Sequence, residues 1–207
     1  MATPTQTPTG ADQQILEQKI QKLRELYADA PKLGATALEN GLPDLTRELA
    51  AATGKQESAG RVGARQGGVS ELTVILPLAE GGAKRLRGLL QLLEGHFQGA
   101  DKVGTVHDMR FVFLDDTKLL FATAYDGEWD AYIEDFATKI PDAMDVLFSN
   151  IEGWPGIRSS SVKDFLAGYQ LSAESWYVAN PDLSVVDTRR LKRVGTAVEE
   201  FLDKVGE

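Results

Sequence analysis

His107 heads the residues of this chain that could do chemistry. A neutral imidazole can serve as general base, proton relay or iron ligand near pH 7. Residues 105–113 alternate, placing His107 on one strand face with Met109, Phe111 and Phe113. If that face closes over a cavity, His107 looks into it, with Met109 beside it. A histidine near a strand end is equally explained as a hydrogen-bonded structural group. Arg110, on the opposite face, and Asp126, where the next strand ends before Gly127, form a second candidate pair. Their ordinary roles are ion pairing and turn formation.

The other candidates are more local. His96 stands near the end of a helical stretch, where the helix dipole favours a cation and no further role is needed. Arg189, Arg190, Lys192 and Arg193 crowd the first turn or so of the last expected helix. Bases there oppose the dipole, so an acidic surface of the same domain or an anionic ligand should compensate them. With two histidines in dissimilar settings and no cysteine, a metal site built by the protein is not expected. Gly54-Lys55 lacks the phosphate-loop spacing and a preceding strand.

Composition narrows the classes further. The chain has 207 residues, 43% hydrophobic and 26% charged, which suits one globular domain with an appendage. Its net charge of −9 falls wholly after residue 69. A nucleic-acid footprint needs a basic face, so nucleic acid is not an expected partner. The opening residues carry no basic start with an apolar run, and no stretch reaches the length of a membrane span. The expectation is a cytoplasmic protein.

These residues need elements to position them. Residues 1–11 read as a disordered N-terminus and 12–53 as a helical extension. In the extension Leu16, Ile20, Leu23 and Tyr27 make a narrow stripe, and Pro43 starts a second helix. Residues 54–69 are Gly-rich and polar, a flexible linker. From 70 to 207 the order is strand (71–78), helix with Leu86, Leu89, Leu90, Leu93 and Phe97, and a hairpin turning at Asp115-Asp116-Thr117. Then follow a helix with Trp129, Tyr132, Ile133 and Phe136, further helices from Pro141 and Val162, a strand (174–180) and a last helix (188–205). Ser161 is the expected cap of the helix at Val162. The last helix is expected to bury Leu191, Val194, Val198, Phe201 and Leu202.

Strand–helix–strand–strand–helix–strand is the ferredoxin-like order, an α+β fold. Its open sheet face would carry Met109, Phe111 and Phe113, and burying that face predicts a homodimer. The alternative is a non-catalytic interaction module tethered to a partner through the N-terminal helices.

The stretches LTVILPLAEGGAKRLRGLL and GTVHDMRFVFLDD, followed by LLFATAYDGEWDAYIEDF, resemble the dimeric α+β barrel superfamily over residues 70–185. The likeness is to uncharacterised bacterial members related to antibiotic-type monooxygenases and to haem peroxidases of the dye-decolorising type. It implies a small-molecule enzyme or binder, with a haem-dependent oxidoreductase as the specific form. Under that resemblance His107, His96 and Met109 are the cofactor-side candidates, and His107, Arg110 and Asp126 the catalytic ones. The helix at 128–138 has no axial histidine, and alanine stands near where the peroxidase motif has its first glycine.

Overall fold

A computed structural model describes residues 10–51, 57–94 and 96–206. The chain divides into two units, Met1–Lys55 and Gln56–Glu207. Most of the segment expected to be disordered, residues 1–9, lies outside the described residues.

The first unit is a helical hairpin of α1 (Gly10–Leu26) and α2 (Lys32–Ala51). The two helices run antiparallel: Arg24 donates to both carboxylate oxygens of Glu39 at 3.0 Å, and Lys19 reaches the Leu49 carbonyl. Leu38 is buried between exposed neighbours. Pro43 does not start α2, as expected from sequence, but lies inside it.

The second unit is mixed α and β. It contains β1 (Glu57–Ser58), β2 (Ala64–Gln66), β3 (Val69–Pro77), α3 (Gly82–Leu93), α4 (Gln98–Val103), β4 (Val106–Leu114) and β5 (Lys118–Asp126). Helices α5 (Trp129–Lys139), α6 (Pro141–Phe148), α7 (Val162–Tyr169) and α8 (Val185–Gly206) follow. One antiparallel sheet has the order β1-β2-β3-β5-β4. The stretch read as a linker supplies β1 and β2 from residue 57 on.

Alternation in β3 and β5 aims Leu72, Val74, Leu76, Leu119, Phe121 and Tyr125 at one core. Trp129, Tyr132, Ile133 and Phe136 bury one stripe of α5 there, as their spacing predicts. The Tyr125 and Tyr132 rings stack at 3.8 Å, and the Tyr132 hydroxyl and Thr123 Oγ1 share a hydrogen bond of 2.8 Å. At the β4–β5 turn Asp115 takes a left-handed φ of 60° and accepts from the Thr117 amide at 2.7 Å.

Met109, Phe111 and Phe113 pack against the core rather than lining an open face, with Phe111 stacked on Phe97 and in tilted contact with Phe121 and Phe148. The opposite face shows Val112 and Leu114 instead. The sheet-to-sheet homodimer thus loses the residues that motivated it.

Next, residues 174–180 form no strand. The outer edge of β3 is already taken by β2 and by a single bridge between Val74 and Gln170. Glu71, only 4% exposed, accepts from the amides of Ala64 and Ala173, each at 3.2 Å, and from Thr73 Oγ1 at 2.8 Å. A buried carboxylate therefore holds the returning chain where a ladder was expected. Gly63 (φ 85°) lies so close to the Glu71 backbone that no other residue fits there.

Finally, α8 starts at Val185 and does not bury its apolar stripe. Leu191, Val194, Val198, Phe201 and Leu202 are all exposed. Ser161 does precede α7, but its hydroxyl pairs with Ser159 and makes no cap bond.

Candidate functional site

An irregularity in β4 decides where His107 goes. Val106 pairs with Tyr125 and Asp108 with Ala124, so His107 is the extra residue of a β-bulge. The bulge lets Val106 and Met109 both pack against the core, three positions apart, and takes His107 off that face. His107 Nε2 lies 2.7 Å from Asp126 Oδ1, with the two side chains 25% and 17% exposed.

Asp126 is held from three sides. Its amide donates to the Thr105 carbonyl at 2.9 Å, and its second carboxylate oxygen accepts from the Val185 amide at 2.8 Å. Val185 is the first residue of α8, so the carboxylate sits at the positive end of that helix. The His107–Asp126 pair has the geometry of an oriented imidazole. Among the described residues no hydrogen bond links it to a nucleophile. Arg110, the third catalytic candidate, pairs with Asp108 at 3.2 Å and does not join the other two.

The apolar cavity lies elsewhere than beside His107. An apolar cleft of about 490 Å³ opens between the end of α3, α4, α6 and the core-facing side of β4. Leu93, Phe97, Met109, Ile140, Met144 and Leu147 supply much of its wall, and Gly99 and Ala143 leave it wide. His96 and Asp142 also line it, and both are exposed. Of the cofactor-side candidates, His96 and Met109 meet at this cleft and His107 lies outside it. The missed signal was Phe97-Gln98-Gly99-Ala100, where small residues follow an aromatic at the start of an unforeseen short helix.

Haem suits this cleft poorly. Its propionates need cationic partners, and among the described lining residues there is no Lys or Arg. The acid present, Asp142, takes Arg158 at 2.9 Å on its own side. Among the described residues no group of three or more His, Cys, Asp or Glu could hold a metal ion, and no helix is long and apolar enough to cross a membrane.

The last helix, whose early bases call for an acidic surface or an anionic ligand, starts with a cap of its own. Ser184 caps α8, accepting from the Asp187 amide at 3.1 Å, while Asp187 accepts from the Ser184 hydroxyl at 2.5 Å. The Ser184 hydroxyl and then the Ser184 amide, both donating to the Asp187 carboxylate, hold it below its usual range. The Val185 amide goes to Asp126 and the Thr188 amide to the Ser184 carbonyl, so these amides of the first turn are already taken. Arg189, Arg190, Lys192 and Arg193 follow beyond that turn, and Arg189 reaches Asp101 of α4 at 2.5 Å.

The tryptophans behave as structure. Trp129 is wholly buried, and Trp154 donates its indole N–H to Asp145 at 2.9 Å. No family model, no curated protein and no solved structure matches the chain.

Proposed function

We propose that this protein binds an apolar small molecule in the cleft beneath α4 and α6. The observation that carries this reading is the cleft itself: about 490 Å³, walled by two methionines, aromatics and aliphatics, with one imidazole and one carboxylate. Sites for small ligands have this size and this ratio of apolar wall to few polar groups. Paired methionines add a polarizable wall that adapts to varied shapes. A neutral molecule fits best, since Asp142, the one carboxylate at the lining, is already paired with Arg158. Binding rather than catalysis is favoured because His107, Arg110 and Asp126 do not line the cleft.

We further infer a ferredoxin-like plan. The run β3-α3-β4-β5-α5 follows its order, with β2 standing at the edge where the last strand would pair. An interaction module remains a second reading, and the observation favouring it is the exposed apolar stripe of α8.

The test is a titration of the full chain with a neutral fluorescent probe such as N-phenyl-1-naphthylamine, beside a parallel titration with haem. Saturable one-to-one probe binding in the micromolar range, without a haem Soret shift, supports the reading. Absence of saturable probe binding would sink it.

A further inference from the structure

Helix α8 is exposed from Val186 to Val205. Its apolar residues Leu191, Val194, Val198, Phe201 and Val205 recur at three, four, three and four, the 3.5-residue period of a helix-pairing seam. They are 48–67% exposed, and Leu202 beside them widens the stripe. A continuous apolar stripe of this kind marks an interface.

The charges of α8 indicate the occupant. Arg189, Arg190, Lys192 and Arg193 fill its first half, while Glu199, Glu200 and Asp203, with Lys204, fill its second. This order runs against the helix dipole, which favours acids early and bases late. The Ser184–Asp187 cap offsets the conflict only at the first turn. A second α8 lying antiparallel offsets it along the whole length. Its acidic half then faces the basic half, and the two dipoles oppose.

We propose that α8 pairs antiparallel with α8 of a second copy of this chain. In the register where Val194 meets the partner's Val198, two-fold symmetry also brings Leu191 against the partner's Phe201. The surface is thus complementary to itself, as an isologous contact requires. Parallel pairing would set the two Arg-rich halves side by side. Twenty-two residues span roughly 33 Å, and the second unit holds α8 near its start through Val185 and Arg189, so an antiparallel pair sets the two second units at opposite ends. About three heptads make a modest interface, so the dimer forms in the micromolar range.

Sedimentation of the full chain tests this with two charge variants. One is Lys192→Glu/Arg193→Glu, which makes α8 acidic; the other is Glu199→Lys/Glu200→Lys, which makes it basic. All four positions are exposed, so circular dichroism should show both variants folded. The parent should dimerise at tens of micromolar, each variant alone should be weakened at least about tenfold, and their mixture should recover a dimer. Val198→Glu should abolish dimerisation. A parent that stays monomeric at 100 μM, as it would if the stripe docked on this chain's own N-terminal helices, overturns the proposal. So does a variant pair that dimerises separately as well as mixed.

Discussion

Asp126 binds His107 through one carboxylate oxygen at 2.7 Å and the first amide of α8 through the other at 2.8 Å. One side chain therefore ties the β4 bulge to the start of the last helix. Two residues that suggest catalysis by type form a structural joint here. The position of the joint also explains why α8 can leave the sheet with its cap already complete.

Asp126→Ala should loosen this joint. It removes a charge-assisted bond and leaves the Val185 amide without its acceptor, at a cost of about 1–3 kcal/mol. Hydrogen exchange should rise around residues 183–188 while α5 stays protected. Unchanged exchange there would show that the carboxylate does not hold α8.

Glu71→Ala should be the more damaging change. The buried Ala64 amide and the half-buried Ala173 amide would lose their acceptor, a loss of roughly 2–3 kcal/mol or more. Urea unfolding checks the magnitude, and proteolysis should cut within residues 171–180 more readily than in the parent. A variant as stable as the parent would mean that β2 and the Gln170 bridge suffice to hold that edge.

Alkaline stability follows from the tyrosine stack. Burial pushes the Tyr132 phenol well above its usual value, and burial then the nearby Glu71 charge do the same for Tyr125. An unfolded phenol ionises near pH 10 while the folded one stays protonated. The stability that depends on this is complete below pH about 10 and is lost as pH rises beyond it. Unfolding free energy measured from pH 8 to 11 should fall at the top of that range, and less steeply in Tyr132→Phe. Equal slopes for parent and variant would refute the assignment.

Periodicity revealed what depended on local pattern. The α5 stripe of Trp129, Tyr132, Ile133 and Phe136 formed because burial of one face decides it, and the turn at Asp115 because a short polar side chain tolerates the left-handed φ. Three features were hidden for physical reasons. A bulge changes alternation by one residue, so the pattern from His107 to Phe113 looked continuous while Val106 took the inward place. Trp176-Tyr177-Val178 has strand-like composition, but the edge it needed was occupied and the chain was pinned through Glu71. The stripe of α8 has the same spacing whether it packs inside or waits for a partner, so sequence could not tell burial from exposure. The place of the cleft was hard to read because its wall is gathered from α3, α4, α6 and β4, and Phe97-Gln98-Gly99-Ala100 signals only one part of it.

The most direct measurement is to fill the cleft and repeat the probe titration. Ala143 is exposed on its wall, and at Gly99 an added Cβ would meet Ile140 at an ordinary 3.6 Å, so both sites accept larger residues. Ala143→Trp and Gly99→Leu should each weaken N-phenyl-1-naphthylamine binding at least about tenfold, while thermal stability and the His107→Ala titration match the parent. Probe binding that survives both filled variants, or that vanishes with His107→Ala alone, would contradict binding in the cleft.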